Sequence, residues 1–117
     1  MAVSVLIVDD HAGFRSFACA LLAADGFEIV GEAADGRTAA QEAERLRPDV
    51  VLLDVQLPDT DGFTVAARLA EITPAPKVVL ISTRSASAYR RRLATAPALG
   101  FLAKDELSGA ALAMLVA

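Results

Sequence analysis

Cysteine is almost absent from this sequence, and so are the features of secreted and membrane proteins. The single cysteine, Cys19, cannot form an internal disulfide bond, so nothing indicates an oxidising compartment. We interpret it as a buried, unreactive thiol. No apolar run approaches the ~20 residues of a membrane-spanning helix, and the N-terminus lacks the basic region and cleavage pattern of a signal peptide. We therefore expect a cytoplasmic protein that makes no membrane contact.

Basic residues are also scarce, with 11 Lys and Arg against 15 Asp and Glu and a net charge of −4. Affinity for nucleic acid depends on neutralising phosphates with Lys and Arg, so this balance argues against direct nucleic-acid binding by the chain. It does not argue against a protein partner. The glycine-rich loop with which many kinases hold a phosphate is missing as well. At 117 residues, of which 55% are hydrophobic, we expect one domain with a single core.

The hydrophobic pattern alternates between the periods of strands and helices. Short apolar runs predict strands at residues 3–8, 27–33, 50–53, 77–81 and 99–103. Apolar residues spaced by three and four predict the helices between them: one with the face Phe14, Phe17, Ala18, Leu21 and Leu22, then 35–47 capped by Asp35, 63–72, 86–95, and a last one marked by Leu107, Ala111, Met114 and Leu115. Such alternation predicts an α/β fold whose parallel sheet is covered on both faces.

Polar side chains follow four of these predicted strands at the point where each strand ends. They are Asp9 and Asp10, then Asp54, Ser82 and Lys104. In an open α/β sheet the carboxyl ends of parallel strands lie at one edge, and ligands bind there where the strand order reverses. Adjacent buried carboxylates repel each other and need a cation. Oxygen ligands favour Mg²⁺, or Mn²⁺, over zinc.

The same edge has the groups needed for phosphoryl chemistry. A carboxylate such as Asp54 can attack phosphorus and form an aspartyl phosphate. Lys104 suits phosphoryl oxygens as a compact positive charge, and the hydroxyl of Ser82 can donate a hydrogen bond to one of them. The only histidine, His11, can be a metal ligand, but we interpret it as a residue that caps or lines the loop.

Four motifs make the chain resemble the receiver domains of two-component response regulators, in the CheY-like superfamily. They are Val-Asp-Asp at 8–10, Leu-Leu-Asp-Val-Gln-Leu-Pro-Asp-Thr-Asp-Gly at 52–62, Ile-Ser at 81–82 and Gly-Phe-Leu-Ala-Lys-Asp at 100–105. The resemblance covers residues 1–117 as a single receiver domain, with no output domain in this chain. It implies a flavodoxin-like, doubly wound fold with strand order 2-1-3-4-5. Asp105, where many receivers have proline, resembles the NarL/FixJ type, which usually carries a helix-turn-helix output domain.

The resemblance also implies which residues bind the metal and the phosphoryl group. It implies that Asp54 is the phosphoacceptor and that the side chains of Asp10 and Asp54 hold Mg²⁺ together with the backbone carbonyl of Gln56. Asp9 binds the ion mainly through water. The phosphoryl group comes from a sensor histidine kinase, so the chain is not an enzyme beyond its own phosphotransfer and autodephosphorylation.

The resemblance implies a signalling switch as well. Ser82 and Lys104 contact the phosphoryl group, and Ser82 with Phe101 forms the switch pair. Phe101 lacks a phenol hydroxyl, so it can act only through packing. The output face is formed by the fourth helix, fifth strand and fifth helix, and a dimer can also form through this face. The unusual run Arg90, Arg91 and Arg92 is either a solvated helix face or a patch for an acidic partner.

Other readings stay open on the sequence. The chain can be a receiver-like module that binds partners without phosphorylation, or the excised receiver of a DNA-binding transcriptional regulator. A flavin binder would need a phosphate-binding loop rich in glycine and hydroxyls after the first strand. A haloacid-dehalogenase-like phosphatase would need a second aspartate where Gln56 stands.

Overall fold

The computed structural model describes residues 2–117, and its centre is a five-stranded parallel sheet in the order β2-β1-β3-β4-β5. The strands are β1 (Ser4–Val8), β2 (Glu28–Ala33), β3 (Val50–Asp54), β4 (Lys77–Ser82) and β5 (Gly100–Ala103). The helices are α1 (Ala12–Ala24), α2 (Gly36–Leu46), α3 (Gly62–Leu69), α4 (Arg90–Thr95) and α5 (Gly109–Val116). Short 3₁₀ turns at Ala86–Tyr89 and Lys104–Glu106 precede α4 and follow β5. The predicted doubly wound α/β fold and its strand order are confirmed.

The register of the central strands decides where the polar side chains emerge. Val8 of β1 pairs with Leu53 of β3, and Asp54 pairs with Ile81 of β4. Asp9, which follows Val8, therefore lies beside Asp54, which follows Leu53, and Ser82 comes one residue after Ile81, the partner of Asp54. Because side chains alternate between the two faces of a sheet, the strands contribute to two buried clusters. Leu6, Val51 and Leu53 belong to one, and Ile7 and Leu52 belong to the other.

Side-chain caps determine where three of the helices begin. Asp35 accepts a hydrogen bond from the Thr38 N–H at 2.7 Å at the start of α2, as the sequence predicts. Asp61 caps α3 through the Thr64 N–H at 2.9 Å, and Ser108 caps α5 in the same way. Each cap satisfies a backbone donor that has no partner within its helix.

Two predicted helix faces are wrong in part. In α1, Ala18 and Leu22 are fully buried, but Phe17 is 55% exposed. Ala18 and Leu22 are four residues apart and so share the helix face that packs on the sheet, whereas Phe17 lies to one side of that face. Around α5, Leu107 is buried but precedes the helix, and Met114 is 84% exposed. Residues Gly109, Leu112 and Val116 of α5 face the core at spacings of three and four, which turns Met114 outward.

The predicted fourth helix is also divided. Residues 86–95 form a 3₁₀ turn and then the short helix α4, and none of their side chains is fully buried. Cys19 is half-buried, whereas its sequence context predicts a buried thiol. Burial raises the pKa of this thiol, which keeps it protonated and less nucleophilic. Among the helices that the structure describes, none combines the length and the apolar composition needed to cross a bilayer.

Candidate functional site

The carboxyl edge of the sheet brings together the polar residues that the sequence analysis singled out. Asp9 directly follows β1 and is fully buried. Asp54 and Ser82 are the last residues of β3 and β4, with only 4% and 2% of their surface exposed. Lys104 follows β5 and reaches across the edge from the end of the sheet. These positions follow from the parallel register, which aligns the strand ends.

Lys104 lies between two buried carboxylates. Its Nζ is 3.1 Å from Asp54 Oδ2 and is also paired with Asp9 Oδ2. The ammonium lies 4.5 Å from the centroid of the Phe14 ring, which covers it from the α1 side. One ammonium thus balances two carboxylates, and Asp10 adds a third beside them. The site retains excess negative charge, and this favours a cation.

The two buried carboxyl groups differ in proton affinity. Burial raises the pKa of Asp54 to about 6, although the Gln56 N–H and Lys104 oppose this change. Burial also acts to raise the pKa of Asp9, but Lys104 and the His11 N–H outweigh it and hold that pKa below its usual value. Asp9 is therefore the carboxylate that keeps its charge to lower pH, whereas Asp54 takes up a proton as pH falls through about 6.

The donor set fits a hard divalent cation. Asp9, Asp10, His11 and Asp54 each offer one ligand atom, and these atoms lie within 4.8 Å of one another. Asp9 Oδ2 is buried and accepts no well-directed hydrogen bond from any residue that the structure describes. Three carboxylates without a thiolate are the ligands that Mg²⁺ and Mn²⁺ prefer. The acidic cluster could therefore hold such an ion.

A pocket of about 160 Å³ opens beside this cluster. Asp10, Asp54, Gln56, Thr83 and Lys104 line it together with His11, Leu57 and Pro58. His11 lines the pocket as predicted, but its side chain does not cap α1. Instead its Nδ1 lies 3.0 Å from Asp10 Oδ1 and 3.2 Å from Asp9 Oδ1.

The loop between β3 and α3 forms one wall of the pocket. The Gln56 N–H donates to Asp54 Oδ1 at 3.1 Å, which orients the carboxylate. Gln56 also pairs with Asp61 in an isolated antiparallel bridge, and the Gly62 N–H donates to the Val55 carbonyl at 2.7 Å. A Cβ at Gly62 would collide with the backbone carbonyl of Asp54, so only glycine permits this close return of the chain.

Ser82 does not point its hydroxyl at a partner in the acidic cluster. Its Oγ lies 3.1 Å from the Tyr89 hydroxyl and accepts a hydrogen bond from the Arg84 N–H at 3.1 Å. Phe101, the predicted partner of Ser82 in the switch pair, packs its ring 6.0 Å from that of Tyr89. Sequence reasoning missed Tyr89, although it is the only tyrosine of the chain.

The sequence matches a family model and is similar to bacterial proteins of known family. The family model described as response regulator receiver domain matches residues 5–115. Response regulator GacA of Pseudomonas viridiflava is 36% identical over 97% of this chain and 52% of its own length. A protein-glutamate methylesterase/protein-glutamine glutaminase of Anaeromyxobacter dehalogenans is 44% identical over 92% of this chain but only 31% of its own length. The chain thus spans about half of the first of these relatives and less of the second.

Solved structures of response regulator proteins also superpose on this chain. The signal receiver domain of a Mycobacterium tuberculosis protein assigned as the response regulator NarL superposes with a TM-score of 0.86 and 34% identity, covering 97% of this chain and 96% of that one. A chain of the CheX–CheY–BeF₃–Mg²⁺ complex from Borrelia burgdorferi superposes with a TM-score of 0.82 and 28% identity, covering 97% and 86%. This chain belongs to the response regulator receiver domain family.

Proposed function

We propose that this chain, as a single receiver domain over residues 1–117, is a phosphoacceptor switch in which Asp54 takes a phosphoryl group from a partner histidine kinase. The observation that supports this most directly is the setting of Asp54. It is a buried carboxylate at the end of β3, oriented by Gln56 and Lys104, and it faces a pocket lined by further acidic groups. A carboxylate in such a place is costly unless it binds something.

The proposed reaction requires positioning and charge neutralisation more than covalent help. An oxygen of Asp54 forms a bond to phosphorus, the bond from phosphorus to the donor imidazole breaks, and the electron pair leaves with the imidazole. Asp10, Asp54 and the Gln56 carbonyl would hold Mg²⁺, with Asp9 acting through water. When bound, the ion neutralises the carboxylates and the phosphoryl oxygens that approach them. Lys104, already 3.1 Å from Asp54 Oδ2, pairs with the arriving phosphoryl oxygens.

The proposed output is a change in the surface formed by α4, β5 and α5, which presents the signal to an effector or output domain. Two of these elements are loosely packed: α4 has no fully buried residue, and all four residues of β5 are half-buried. Elements that move in regulation come from such low-stability regions. Relatives named response regulators are about twice as long as this chain, which supports the view that it serves as the receiver of a longer transcriptional regulator.

The phosphoacceptor function is tested with a small phosphodonor. After incubation with acetyl phosphate and Mg²⁺, intact mass spectrometry is expected to show one phosphoryl adduct, and chelation of Mg²⁺ with EDTA is expected to prevent it. The variant Asp105→Asn, which removes an exposed acid close to Lys104, should be labelled like the wild type. A folded protein that binds Mg²⁺ but accepts no phosphoryl group would instead support a phosphorylation-independent interaction module.

Magnesium binding is expected to stabilise the protein through Asp10. At a concentration a hundredfold above its Kd, a ligand that binds only the folded state adds about 2.7 kcal/mol to the free energy of unfolding. We expect Mg²⁺ to raise the melting temperature of the wild type, and expect most of that rise to be lost in Asp10→Asn but kept in Asp105→Asn. A thermal-shift titration measures this, and equal shifts in all three proteins would remove Asp10 from the metal site.

A further inference from the structure

We infer that Tyr89 is the residue through which Ser82 controls the position of α4, an inference that rests on the proposed phosphoacceptor function. Tyr89 is the last residue of the 3₁₀ turn and directly precedes α4. Its hydroxyl lies 3.1 Å from the Oγ of Ser82, which is a buried residue at the end of β4. The hydrogen bond therefore joins the sheet edge beside Asp54 to the first residues of α4.

The ring of Tyr89 is held between two other aromatic rings. Its centroid lies 5.8 Å from that of Phe63 on α3 and 6.0 Å from that of Phe101 on β5. Tilted aromatic pairs at such distances are favourable. Phe101 has no hydroxyl, so the phenol that can sense the state of Ser82 in this chain belongs to Tyr89. Phe101 contributes a packing surface on which the tyrosine ring rests.

Few other contacts hold α4 in place. No residue of the 3₁₀ turn or of α4 is fully buried, and the apolar packing of this segment is limited to half-buried side chains such as Tyr89 and Leu93 against the core. The other directed contact is that of Arg92, whose guanidinium pairs with Asp61 at 2.9 Å and lies 4.2 Å from the centroid of Phe63. That pair is about half exposed on the arginine side, and exposed ion pairs contribute little. The bond between Tyr89 and Ser82 is thus one of two directed side-chain contacts that the described residues provide to hold this segment.

Phosphorylation of Asp54 would compete for the hydroxyl of Ser82. Asp54 pairs with Ile81 in the β3–β4 register, so Ser82 is the next residue along the neighbouring strand. A hydrogen bond to an anionic phosphoryl oxygen is about twice as strong as a neutral one. The Oγ of Ser82 already accepts a hydrogen bond from the Arg84 N–H, and in the inferred free state its single hydrogen is donated to the Tyr89 hydroxyl. Donating that hydrogen to the phosphoryl group instead breaks the bond to Tyr89. Tyr89 and α4 are then released together.

The first test measures binding of beryllofluoride, an aspartyl-phosphate mimic, with Mg²⁺. Tyr89→Phe keeps the ring between Phe63 and Phe101 but removes the hydroxyl that stabilises the free state. We expect this variant to bind beryllofluoride about fivefold more tightly, the change that one neutral hydrogen bond makes in a two-state equilibrium. Ser87→Ala is the matched control, because the Ser87 hydroxyl lies 2.7 Å from that of Ser85 on the same 3₁₀ turn and does not reach Ser82. It should bind like the wild type.

A double-mutant cycle shows whether Tyr89 acts through Ser82. In a Ser82→Ala background, adding Tyr89→Phe is expected to leave the beryllofluoride affinity unchanged, since the bond is already gone. Unchanged or weaker binding by Tyr89→Phe alone would overturn the inference. Tighter binding that persists in the Ser82→Ala background would also overturn it, because the hydroxyl would then act by another route.

The second test needs no variant at position 89. The chain has one tyrosine and no tryptophan, so its intrinsic emission reports Tyr89 alone. We expect the tyrosine emission of the wild type to change when acetyl phosphate and Mg²⁺ produce the phosphoryl adduct. A complete adduct with unchanged emission would overturn the inference and leave the proposed function standing. Absence of the adduct would overturn the proposed function, and with it this inference.

Discussion

Replacing Asp54 with asparagine is expected to abolish the phosphoryl adduct and to stabilise the metal-free protein at neutral pH. The amide keeps the shape of the side chain at the end of β3 but cannot attack phosphorus. It also removes a buried negative charge that lies beside Asp9 and that Lys104 balances only in part. The first effect is read by intact mass after acetyl phosphate treatment, with Asp105→Asn as the control that stays labelled.

The stability effect depends on pH in a defined direction. Burial raises the pKa of Asp54 to about 6 from 3.8 in the folded protein, so the folded state holds this proton more tightly than the unfolded state does. The stability that this provides is fully present below pH 3.8 and is lost as pH rises through about 6. Since one pKa unit corresponds to about 1.4 kcal/mol, the wild type should lose about 3 kcal/mol over this range.

This pH effect is measured by chemical denaturation in EDTA at pH values from 4 to 7.5. The free energy of unfolding of Asp54→Asn should lack the decline that Asp54 causes in the wild type, so the variant becomes the more stable protein as pH rises. Parallel pH profiles for the two proteins would contradict the assigned pKa of Asp54. Normal phosphoryl labelling of the variant would remove Asp54 from the role of phosphoacceptor.

Replacing Lys104 with methionine is expected to have the largest effect on stability. Methionine keeps the length of the side chain beside Phe14 but leaves Asp9 and Asp54 without their shared cation. Removing one partner of a buried ion pair costs about 3 kcal/mol or more, because an uncompensated charge stays buried. We expect a loss of this size in EDTA at pH 7.5, measured by chemical denaturation.

The loss should be reversible in two independent ways. Without Lys104 the pKa values of both carboxyl groups rise in the folded state, so stability is expected to return as pH falls. Saturating Mg²⁺ should restore it at constant pH by supplying another cation. Lys77→Met is the control, because Lys77 lies at the opposite edge of the sheet and donates to the Val116 carbonyl at 3.0 Å. A loss that neither acid nor Mg²⁺ repairs would show that Lys104 acts by packing alone.

Lys104→Met should also separate phosphorylation from its structural consequence. The aspartate remains in place, so some labelling by acetyl phosphate is expected to persist. The amide resonances of α4 and β5 should shift less on phosphorylation than in the wild type, because the phosphoryl group has lost the ammonium that links it to the end of β5. Wild-type shifts in the labelled variant would contradict this.

Local chemistry was enough to predict much of this protein. Apolar runs such as 50–53 can be satisfied only inside a covered sheet, and the strands formed where the sequence placed them. Asp35 begins α2 because a side chain that caps a helix needs only its own next few residues. The alignment of strand ends also explains why Asp54 and Lys104, 50 residues apart, could be expected at one edge.

Other features required the packed structure. Whether a helical apolar residue faces the sheet depends on how the helix is rotated against it, and Phe17 and Met114 lie on the outer side for this reason. Burial favours the protonated form of both buried carboxyl groups, but Lys104 and the His11 N–H outweigh it at Asp9 only, so Asp54 and Asp9 differ although both are aspartates. The contact of Ser82 with Tyr89 depends on the course of a short, weakly buried turn.

The sequence alone determined the fold and the chemical groups at its edge, because strand and helix patterns are local. Only the tertiary structure decided their pairing and exposure, because these depend on contacts between distant segments.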